Sequence, residues 1–364
     1  MSILLVLTAV YAMLVLFFFV KNKSVSPSGK IQKATIIVAA RNEESVIDNC
    51  LRSLSEQNYP ENLLEILVVD DNSTDKTGEI IQQWTTQDSR IISLKTPEKR
   101  KYRAKKAPLD FAIRQAKGDI ILITDADCTQ KPNWAQTMVK SFREDTVALS
   151  GLAAIKRGEK AVQIFQRLDF LLLMVANRGM ADANYGLAGC GMNLGFRKDA
   201  FFAVGGFEKI KNMLGGDDTV LLQEMQKITG KKIHFAHSQE TFVKTESQPT
   251  WSELFRQRLR WAVDGLHQVR QNPMFFVLLL VLAGAHFFGI LLPVYLAMGF
   301  KFFWGFFAIW AMKIFADIGI FWLSKIWFEE PVSLKEFVVW WFINPIYYTI
   351  TTVLSPLGNK VRWK

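Results

Sequence analysis

The apolar residues of this chain gather into long runs near its two ends, and this distribution restricts the possible folds more than any other feature. The runs cover residues 3–20, 274–300, 302–324 and about 337–357. A helix needs about 20 apolar residues to cross the hydrocarbon core of a bilayer. We therefore expect a transmembrane anchor at residues 1–22 and a C-terminal membrane region of about three helices at residues 274–357.

The flanks of the first run indicate its orientation. No Lys or Arg precedes the run, whereas Lys21, Lys23 and Lys30 follow it. Positive residues are enriched on the cytosolic side of membrane helices, so the segment after the anchor is expected in the cytosol. A cleaved signal peptide, which typically has basic residues before its apolar core, is the alternative.

Charged residues in and after the C-terminal runs lead to two further expectations. Lys313 and Asp317 lie four residues apart within one run and should pair with each other. Three spans after a cytosolic domain would place Lys360, Arg362 and Lys364 outside, against the usual distribution of positive charge. A re-entrant or interfacial last segment is the alternative.

The charge and the cysteines exclude several classes of function. The formal net charge is +10, and residues 95–106 contain seven Lys or Arg against Glu98. This stretch is a solvated loop or a site attracted to lipid headgroups or a diphosphate. Nucleic acid is not expected as a partner, because the chain is anchored and has no nucleic-acid-binding motif. Three cysteines without CxxC spacing or paired His form neither a disulfide framework nor a zinc site.

The middle of the chain alternates short apolar runs with helix-like stretches. Strands are predicted at residues 35–40, 64–69, 91–94 and 119–124, and helices at residues 46–56, 76–87 and 107–115. Unbroken apolar strands separated by helices predict an α/β fold whose parallel sheet is covered on both faces. Ligands of such sheets bind outside the carboxyl ends of the strands.

Acidic residues follow three of the predicted strands. They are Glu43 and Glu44, Asp70 and Asp71, and Asp125 and Asp127. Because the carboxyl ends of parallel strands meet at one edge of a sheet, these acids should converge although they are about 80 residues apart in the chain. This convergence is the first indication of a functional site.

Asp125 and Asp127 form a DxD pattern directly after an apolar strand. Carboxylate oxygens are preferred ligands of Mg²⁺ and Mn²⁺, which bridge proteins to diphosphates. Surface loops often contain this pattern by chance, but its position after a buried strand favours a metal site. The pair Asp70 and Asp71 also has a structural interpretation, since Asp is common in turns.

Two more clusters come from later in the chain. Asp217 and Asp218 precede a predicted helix, where acids commonly stabilise the N-terminal end; in a site with a diphosphate, one of them is a candidate general base. The second cluster is the segment Gln257-Arg258-Leu259-Arg260-Trp261. Arginine forms paired hydrogen bonds with phosphate oxygens, and tryptophan provides a flat face for a sugar ring. An ordinary helix with a basic face is the alternative.

Taken in order, these segments resemble the membrane-bound family 2 glycosyltransferases. The matching segments are residues 38–44, 69–75, 124–127, 216–218 and 257–261. Members of this family are inverting enzymes with the GT-A (nucleotide-diphospho-sugar transferase, Rossmann-like) fold, related to cellulose, chitin and hyaluronan synthases and to ceramide glucosyltransferases. The resemblance covers about residues 36–261, and it implies a cytosolic GT-A domain at residues 30–265 between the membrane segments.

The resemblance implies a binding site for a nucleotide-diphosphate sugar donor. Glu43 and Asp71 would hold the base and ribose, and Ala40 and Lys106 belong to the same site. Asp125 would bind the diphosphate through a divalent metal, Mg²⁺ or Mn²⁺. The family usually has Gly before its lysine in this region, whereas this chain has Ala104, which affects the conformation of the loop.

The remaining roles implied by the resemblance concern the metal, the base and the acceptor. Asp127 would bind the metal with Asp125, and Asp218, beside Asp217, would deprotonate the acceptor hydroxyl. Arg260, with Gln257 and Arg258, would steady the departing nucleotide, and Trp261 would form the floor of the acceptor site. These roles are assigned to residues at the matching motif positions.

The sequence therefore predicts a glycosyltransferase of a bacterial inner membrane that acts on a lipid, lipid-linked or glycan acceptor at the cytosolic face. A processive polysaccharide synthase is the alternative within the class, although three C-terminal runs are few for polymer translocation. A nucleotidyltransferase would need a glycine-rich first strand end, which residues 39–42 lack. A non-enzymatic membrane scaffold would not need the acids, yet Asp71, Asp125, Asp127 and Asp218 are present.

Overall fold

The structure is a computed structural model that describes residues 2–21, 26–186, 188–213, 215–271, 277, 281, 284 and 303–354. The chain divides into two compact units. Within the described residues, the sheet unit comprises residues 26–156 and 180–246, and the helical unit comprises residues 2–21, 157–179 and 247–354.

The sheet unit is built on a seven-stranded sheet with the strand order β3-β2-β1-β4-β8-β6-β9. Its strands are β1 (Ala34–Ala40), β2 (Leu64–Asp70), β3 (Ile91–Lys95), β4 (Ile120–Asp125), β6 (Thr146–Ser150), β8 (Asn193–Arg197) and β9 (Lys232–Phe235). A three-stranded sheet has the order β5-β10-β7. Its short strands are β5 (Cys128–Thr129), β7 (Ala153–Ile155) and β10 (Val243–Thr245).

The helices of the sheet unit connect and cover these strands. They are α2 (Ile47–Ser55), α3 (Thr77–Gln87), α4 (Lys106–Gln115), α5 (Trp134–Lys140), α7 (Lys198–Ala203) and α8 (Thr219–Thr229). Apolar residues of the strands and of α4, α7 and α8 form a buried cluster, which includes Ile37, Leu67, Ile121, Phe196 and Leu221. Burial of this apolar surface is the main favourable term in folding the unit.

The predicted α/β fold is confirmed, and one feature of the predicted sheet is wrong. Strand β1 is completely buried and pairs in parallel with β2 and β4, as expected for an apolar strand in the centre of a sheet. Strand β8 runs antiparallel to both β4 and β6, so the sheet is mixed. The direction of β8 depends on its pairing with β4 and β6, and the glycine-rich segment before the strand has no pattern that would indicate it.

The helical unit contains α1 (Ser2–Lys21), most of α6 (Ala161–Asp182), α9 (Trp251–Gln271), α10 (Phe303–Phe328) and α11 (Leu334–Leu354). Two described segments, Phe307–Phe328 and Leu334–Leu354, are long and apolar enough to cross a membrane, while the apolar stretch Leu5–Lys21 is shorter. The predicted run at residues 274–300 lies almost entirely outside the described residues.

Helices α1 and α10 lie side by side and run in the same direction. Tyr11 donates its hydroxyl to Asp317 Oδ1 over 2.9 Å, and the rings of Phe19 and Trp322, further along both helices, are 5.6 Å apart. The predicted pair of Lys313 and Asp317 is confirmed, with Nζ and Oδ2 2.5 Å apart and both side chains buried. Charges buried in this way are costly unless they are paired and hydrogen-bonded, and the hydroxyl of Tyr11 gives Asp317 a second hydrogen-bond donor.

Candidate active site

The strand ends converge as the sequence predicts. In the register of the sheet, Ala40 of β1 lies opposite Asp70 of β2, and Ala39 lies opposite Asp125 of β4. The carboxyl ends of the three central parallel strands therefore form one edge, where ligands of open α/β sheets bind. This edge, with the loops that leave it, is the candidate active site of the sheet unit.

The loops after β1 and β2 are fastened to each other by side chains. Asn42 and Asn72 both have left-handed backbones, with φ of 55° and 57°, which Asn tolerates better than most residues. Thr74 donates its backbone N–H to Asn42 Oδ1 over 2.8 Å, and Asn42 donates its own to Ser73 Oγ over 3.1 Å. These hydrogen bonds hold the two loops together at the strand ends.

Three of the acids near these strand ends have structural roles. Asp70 Oδ1 accepts from Ser73 N–H over 2.9 Å, which shapes the turn after β2. Glu44 accepts from Lys76 N–H over 3.0 Å, and Asp75 accepts from Glu44 N–H over 3.2 Å. The acids that remain at the edge are Glu43, Asp71, Asp125 and Asp127, all of which the sequence pattern singles out.

Asp71 is fully buried between two arginines. Arg100 donates Nη1 to Asp71 Oδ2 over 3.1 Å, and Arg41 Nη1 lies 3.9 Å from the same oxygen. The other oxygen, Oδ1, is buried and has no hydrogen-bond partner among the described residues. A buried carboxylate oxygen without a donor is costly, so this atom is a candidate acceptor for an N–H or O–H group of a ligand.

Lys105 brings the acids from distant parts of the chain to one place. Its ammonium contacts the carboxylate of Asp125. Burial lowers the pKa of Lys105, but the negative charges of Asp125, Asp217 and Asp218 outweigh burial and raise it above its usual range. The predicted base and the predicted metal ligand therefore lie around one ammonium group, although about 90 residues separate them in the chain.

Asp218 begins helix α8. Its Oδ1 accepts from the backbone N–H of Thr219 over 2.5 Å, so the carboxylate is the N-cap of the helix. Its other oxygen, Oδ2, faces Gly191, where an added Cβ would lie only 3.3 Å away. The glycine-rich segment thus passes close to Asp218, and a larger residue at position 191 would crowd the predicted base.

Lys106 has a different environment from its neighbour. Its side chain is fully buried, and Nζ donates to the carbonyl oxygens of Met213 and Gly215 over 2.6 and 2.8 Å. These carbonyls belong to the segment that leads to Asp217 and Asp218. The predicted contact of Lys106 with the donor stays a prediction, while Lys105 is the lysine whose ammonium lies among the acids.

Asp127 lies in a crowded, partly buried position. Burial, and the negative charges of Asp125 and Glu43, raise its pKa to about 6, against a smaller lowering by hydrogen bonds from Thr245 and Cys128. Thr245 lies beside it because β10 pairs antiparallel with β5, which places Thr245 opposite Cys128. Carboxylates that repel one another in this way are stabilised by a cation.

The donor set at this position fits a divalent metal bound together with a diphosphate. No group of three or more His, Cys, Asp or Glu side chains that could hold a metal occurs in the part of the chain that the structure describes. Mg²⁺ commonly takes one or two carboxylates from the protein and its other ligands from phosphate and water. Asp125 and Asp127 supply that minimum, and burial together with the charges of Asp125 and Glu43 raises the pKa of Asp127 to about 6, which a bound cation would reverse.

Two residues of the site were not singled out by the sequence, whereas Lys105 is predicted, with Lys106, as a group that could neutralise phosphate. Arg100 lies in the basic stretch at residues 95–106, where charge alone does not distinguish it from its neighbours. Thr245 lies in a strand of three residues, too short to show a periodicity. The basic stretch as a whole is partly ordered by ion pairs, since Lys101 also contacts Glu208 over 3.1 Å.

The four predicted residues of the QRLRW segment lie on α9 in the helical unit. Gln257 and Arg260 are partly exposed, and Trp261 is exposed. Arg258 is buried, and its Nη2 lies 3.1 Å from Asp169 Oδ2. Its guanidinium carbon lies 4.1 Å from the ring centre of Trp261. The helical unit therefore holds this segment on an ordered helix with Arg258 facing inward.

Two protein-family models match the chain. "Glycosyl transferase family 2" matches residues 35–204, and "Glycosyl transferase family group 2" matches residues 120–354. The second match covers more than half of the chain and includes β4, the acids Asp125 and Asp127, and the QRLRW segment.

Curated relatives agree with these families. A "Probable glycosyltransferase YdaM" of Bacillus subtilis is 26% identical over 64% of this chain and 55% of its own length. A "Beta-monoglucosyldiacylglycerol synthase" of Synechocystis is 29% identical over 63% of this chain and 47% of its own length. A "Poly-beta-1,6-N-acetyl-D-glucosamine synthase" of Staphylococcus epidermidis is 24% identical over 74% and 63%. The chain thus spans about half the length of the first two relatives.

One solved structure resembles the fold over nearly the whole chain. It is a "Mannosyltransferase PcManGT from Pyrobaculum calidifontis in complex with GDP-Man and Mn2+", with a TM-score of 0.63, 18% identity and 98% of each chain covered. At this identity the likeness concerns the fold, and it confirms the predicted GT-A architecture. The predicted resemblance to family 2 is likewise confirmed.

Proposed function

This chain belongs to glycosyl transferase family group 2, and on that premise we propose that it transfers a sugar from a nucleotide-diphosphate sugar to a lipid, lipid-linked or glycan acceptor at the cytosolic face of a membrane, with inversion at the anomeric carbon. One observation supports the site above all others. Asp125 contacts Lys105, whose pKa is raised by Asp125, Asp217 and Asp218 together. This brings the residue proposed to bind the diphosphate close to the proposed base, which supports a common site.

The donor would bind along this edge. Asp71 would accept a hydrogen bond from the nucleobase or ribose at Oδ1, and Ala40 and Glu43 would line the same site. Arg100 and Arg41 hold the other oxygen of Asp71 and so fix the direction in which Oδ1 points. Lys105 would contact the diphosphate, and Lys106 would hold the segment that leads to Asp217 and Asp218.

A divalent metal would be held by Asp125 and Asp127, and when bound it would neutralise the charge that grows on the leaving diphosphate. Glu43 adds a third carboxylate whose charge reaches Asp127. Thr245 donates to Asp127 and so favours the ionised form that binds a cation.

Asp218 would accept the proton of the acceptor hydroxyl, with Asp217 beside it. The hydroxyl oxygen would then attack the anomeric carbon from the face opposite the nucleoside diphosphate, which leaves with the bonding electrons. Gln257 and Arg260 are the proposed stabilisers of that leaving group, and Trp261 is the predicted floor of the acceptor site. Arg258, which the sequence predicts with them, is buried beside Asp169. A single displacement of this kind inverts the anomeric configuration.

The membrane part of the proposal is supported by two described helices that are long enough to cross a bilayer. Their outward side chains are large and apolar, among them Phe315, Trp322, Phe342 and Val353. The predicted multi-pass arrangement and cytosolic orientation are part of this proposal. The Synechocystis relative, whose name indicates a diacylglycerol product, supports a lipid acceptor.

The test uses the purified full chain in detergent micelles. UDP-glucose, UDP-N-acetylglucosamine and GDP-mannose would each be supplied with Mn²⁺ and a total polar lipid extract, and release of nucleoside diphosphate measured. We expect release with one donor, its loss in EDTA, and a lipid product that carries one added sugar by mass spectrometry. Absence of turnover with every donor would contradict the proposal, and a long polymer in gel filtration would favour a processive synthase instead.

A further inference from the structure

The QRLRW segment contains a buried arginine whose surroundings differ from those of its neighbours on α9. Arg258 is 5% exposed and Asp169, on α6, is 2% exposed. The distance of 3.1 Å between Nη2 and Oδ2 makes them a buried ion pair. Burial of two charges is costly, so such a pair is often retained because it fixes a particular arrangement.

The arrangement that Arg258 fixes includes Trp261. The guanidinium carbon lies 4.1 Å from the ring centre of Trp261 and 5.7 Å from that of Phe170. The rings of Phe170 and Trp261 are themselves 5.9 Å apart. Arg258 therefore packs against both rings, and a planar guanidinium at this distance stacks on an indole in a way that a lysine ammonium does not.

Helix α11 closes the other side of this cluster. Tyr348 is hydrogen-bonded to the Asp169 carboxylate, and the ring of Tyr347 lies 5.7 Å from that of Phe255 on α9. Three helices thus hold the pair, while Trp261 remains 36% exposed. One part of the indole is fixed by Arg258, and another is open to a ligand.

We propose that Arg258 and Asp169 are positioning residues, which hold the indole of Trp261 in the orientation that receives the acceptor. This inference rests on the proposed function, in which Trp261 forms the floor of the acceptor site. Arg258 acts through Trp261, and Asp169 acts through Arg258. Because Arg258 is buried beside Asp169 and Trp261, it belongs to the acceptor side, and contact with the donor would fall to Gln257 and Arg260. The half-saturating acceptor concentration therefore depends on Arg258 and Asp169, while donor binding does not.

The alternative is a pair that only stabilises the helical unit, and α6 offers a matched control for it. Arg167 is 1% exposed and donates to Glu336 over 2.7 Å and to Glu330 over 2.9 Å. It is as buried as Arg258 and is paired with carboxylates, and among the described residues its hydrogen bonds are with Glu330, Pro331 and Glu336 rather than with Trp261. Arg167→Lys therefore reports the effect of replacing a buried paired arginine on this helix.

The kinetic test compares Arg258→Lys, Asp169→Asn and Arg167→Lys in detergent micelles. The donor is the sugar nucleotide that gives the highest release with the wild type, and the acceptor is a total polar lipid extract. We expect Arg258→Lys and Asp169→Asn to raise the half-saturating lipid concentration about tenfold, the order expected for loss of a desolvated cation–π contact. The KM for the donor and the values for Arg167→Lys should stay within about twofold of wild type.

A second measurement does not depend on activity. Protein that contains 5-fluorotryptophan gives one ¹⁹F resonance for each indole, and Trp261→Phe identifies the resonance of Trp261. We expect Arg258→Lys and Asp169→Asn to shift or broaden that resonance, and Arg167→Lys to leave it in place. A wild type without turnover would contradict the proposed function, whereas the resonance would still decide whether the pair holds Trp261.

Two results would overturn the proposal. One is an unchanged Trp261 resonance together with an unchanged lipid dependence in Arg258→Lys, which would show that stacking is dispensable. The other is an equal change in Arg167→Lys and Arg258→Lys, in resonance and in lipid dependence, which would show a purely structural role for both pairs.

Discussion

The carboxylate of Asp218 has two roles, helix cap and predicted base, which the sequence alone cannot distinguish. It is the N-cap of α8 through Oδ1, and it is the predicted base, with Oδ2 toward Gly191. Asn caps helices about as well as Asp but cannot accept a proton at neutral pH. The substitution Asp218→Asn therefore removes the proposed chemistry and keeps the cap.

We expect Asp218→Asn to lower kcat by about 10²–10⁴-fold, the usual contribution of a general base. Its thermal unfolding temperature should stay within about 2 °C of wild type because the cap remains. The measurement is release of nucleoside diphosphate at saturating donor, with unfolding followed in the same detergent. Turnover equal to that of the wild type would mean that another group takes the proton.

Asp127 gives a pH dependence with a definite sign. Burial and the charges of Asp125 and Glu43 raise its pKa to about 6, above the value of about 3.9 of an unfolded aspartate. The fold therefore favours the protonated form, and the stabilisation is complete below about pH 4 and lost as the pH rises to about 6. The metal-free protein should lose stability over this interval.

The measurement is the unfolding temperature in EDTA between pH 4 and pH 7 for the wild type and Asp127→Asn. We expect the wild type to fall more steeply than the variant, and Mn²⁺ at pH 7 to raise the unfolding temperature of the wild type alone. Parallel curves for the two proteins would show that the neighbouring carboxylates do not raise the pKa of Asp127.

Lys105 and Lys106 are adjacent and chemically identical, so no sequence pattern assigns them different roles. Lys106 satisfies two buried carbonyls, and Lys105 contacts Asp125. Lys106→Ala should destabilise the fold by about 1–3 kcal/mol, because the carbonyls lose their donor. Lys105→Ala should instead raise the KM for the donor with little loss of stability. Denaturant unfolding measures the loss of stability, and titration of the donor measures the change in KM. A loss of stability in Lys105→Ala together with a raised donor KM in Lys106→Ala would contradict the proposed site.

At the scale of elements, the sequence predicts the parts of the sheet that local patterns determine. The strands at the centre, β1, β2 and β4, are buried apolar runs and were placed within a residue or two of their observed bounds. The strands β5, β7 and β10 have two or three residues each, so their formation depends on pairing partners far along the chain.

The antiparallel direction of β8 likewise depends on contacts with distant parts of the chain. Asn193, its first residue, is fully buried, donates to the carbonyls of Leu152 and Thr241 over 2.8 and 2.7 Å, and accepts from Trp134 over 3.1 Å. These bonds tie three separate segments to the start of the strand. They are tertiary contacts, and the local pattern around residue 193 contains no signal for them.

The segment between β3 and α4 offers a prediction about backbone strain. Ala104 has a φ of 52°, in the left-handed region that glycine adopts readily and alanine does not. Ala104→Gly should stabilise the protein by about 1 kcal/mol. Ala112→Gly, inside α4, is the control and should destabilise it by at least about 1 kcal/mol. A loss of stability in Ala104→Gly, measured by denaturant unfolding, would show that the segment has another backbone in solution.

At the scale of the whole molecule, the contacts inside the helical unit determine how its apolar helices are arranged. Arg157 and Arg167 both donate to the carbonyl of Pro331, in the connection between α10 and α11. Charged groups of this kind do not lie in the hydrocarbon core without a large cost. Under the proposed membrane arrangement, we therefore expect the connection at residues 329–333 at the same membrane face as the start of α6.

The same helices fix the direction of the N-terminal anchor. Because α1 runs parallel to α10, Lys21 at the end of α1 lies toward the same face as Phe328 at the end of α10. The proposed orientation puts this end of both helices on the cytosolic side, in agreement with Lys21 at the end of α1.

This arrangement can be tested with cysteines introduced one at a time. Lys335 at the start of α11 and Ser252 on α9 are both exposed, whereas the three native cysteines are buried. We expect Lys335→Cys and Ser252→Cys to react with a membrane-impermeant maleimide in inside-out vesicles and to be protected in right-side-out vesicles. The native protein, labelled in parallel, controls for Cys50, Cys128 and Cys190. Labelling of the two cysteines from opposite sides would contradict the arrangement, because Arg157 and Arg167 could not then reach Pro331.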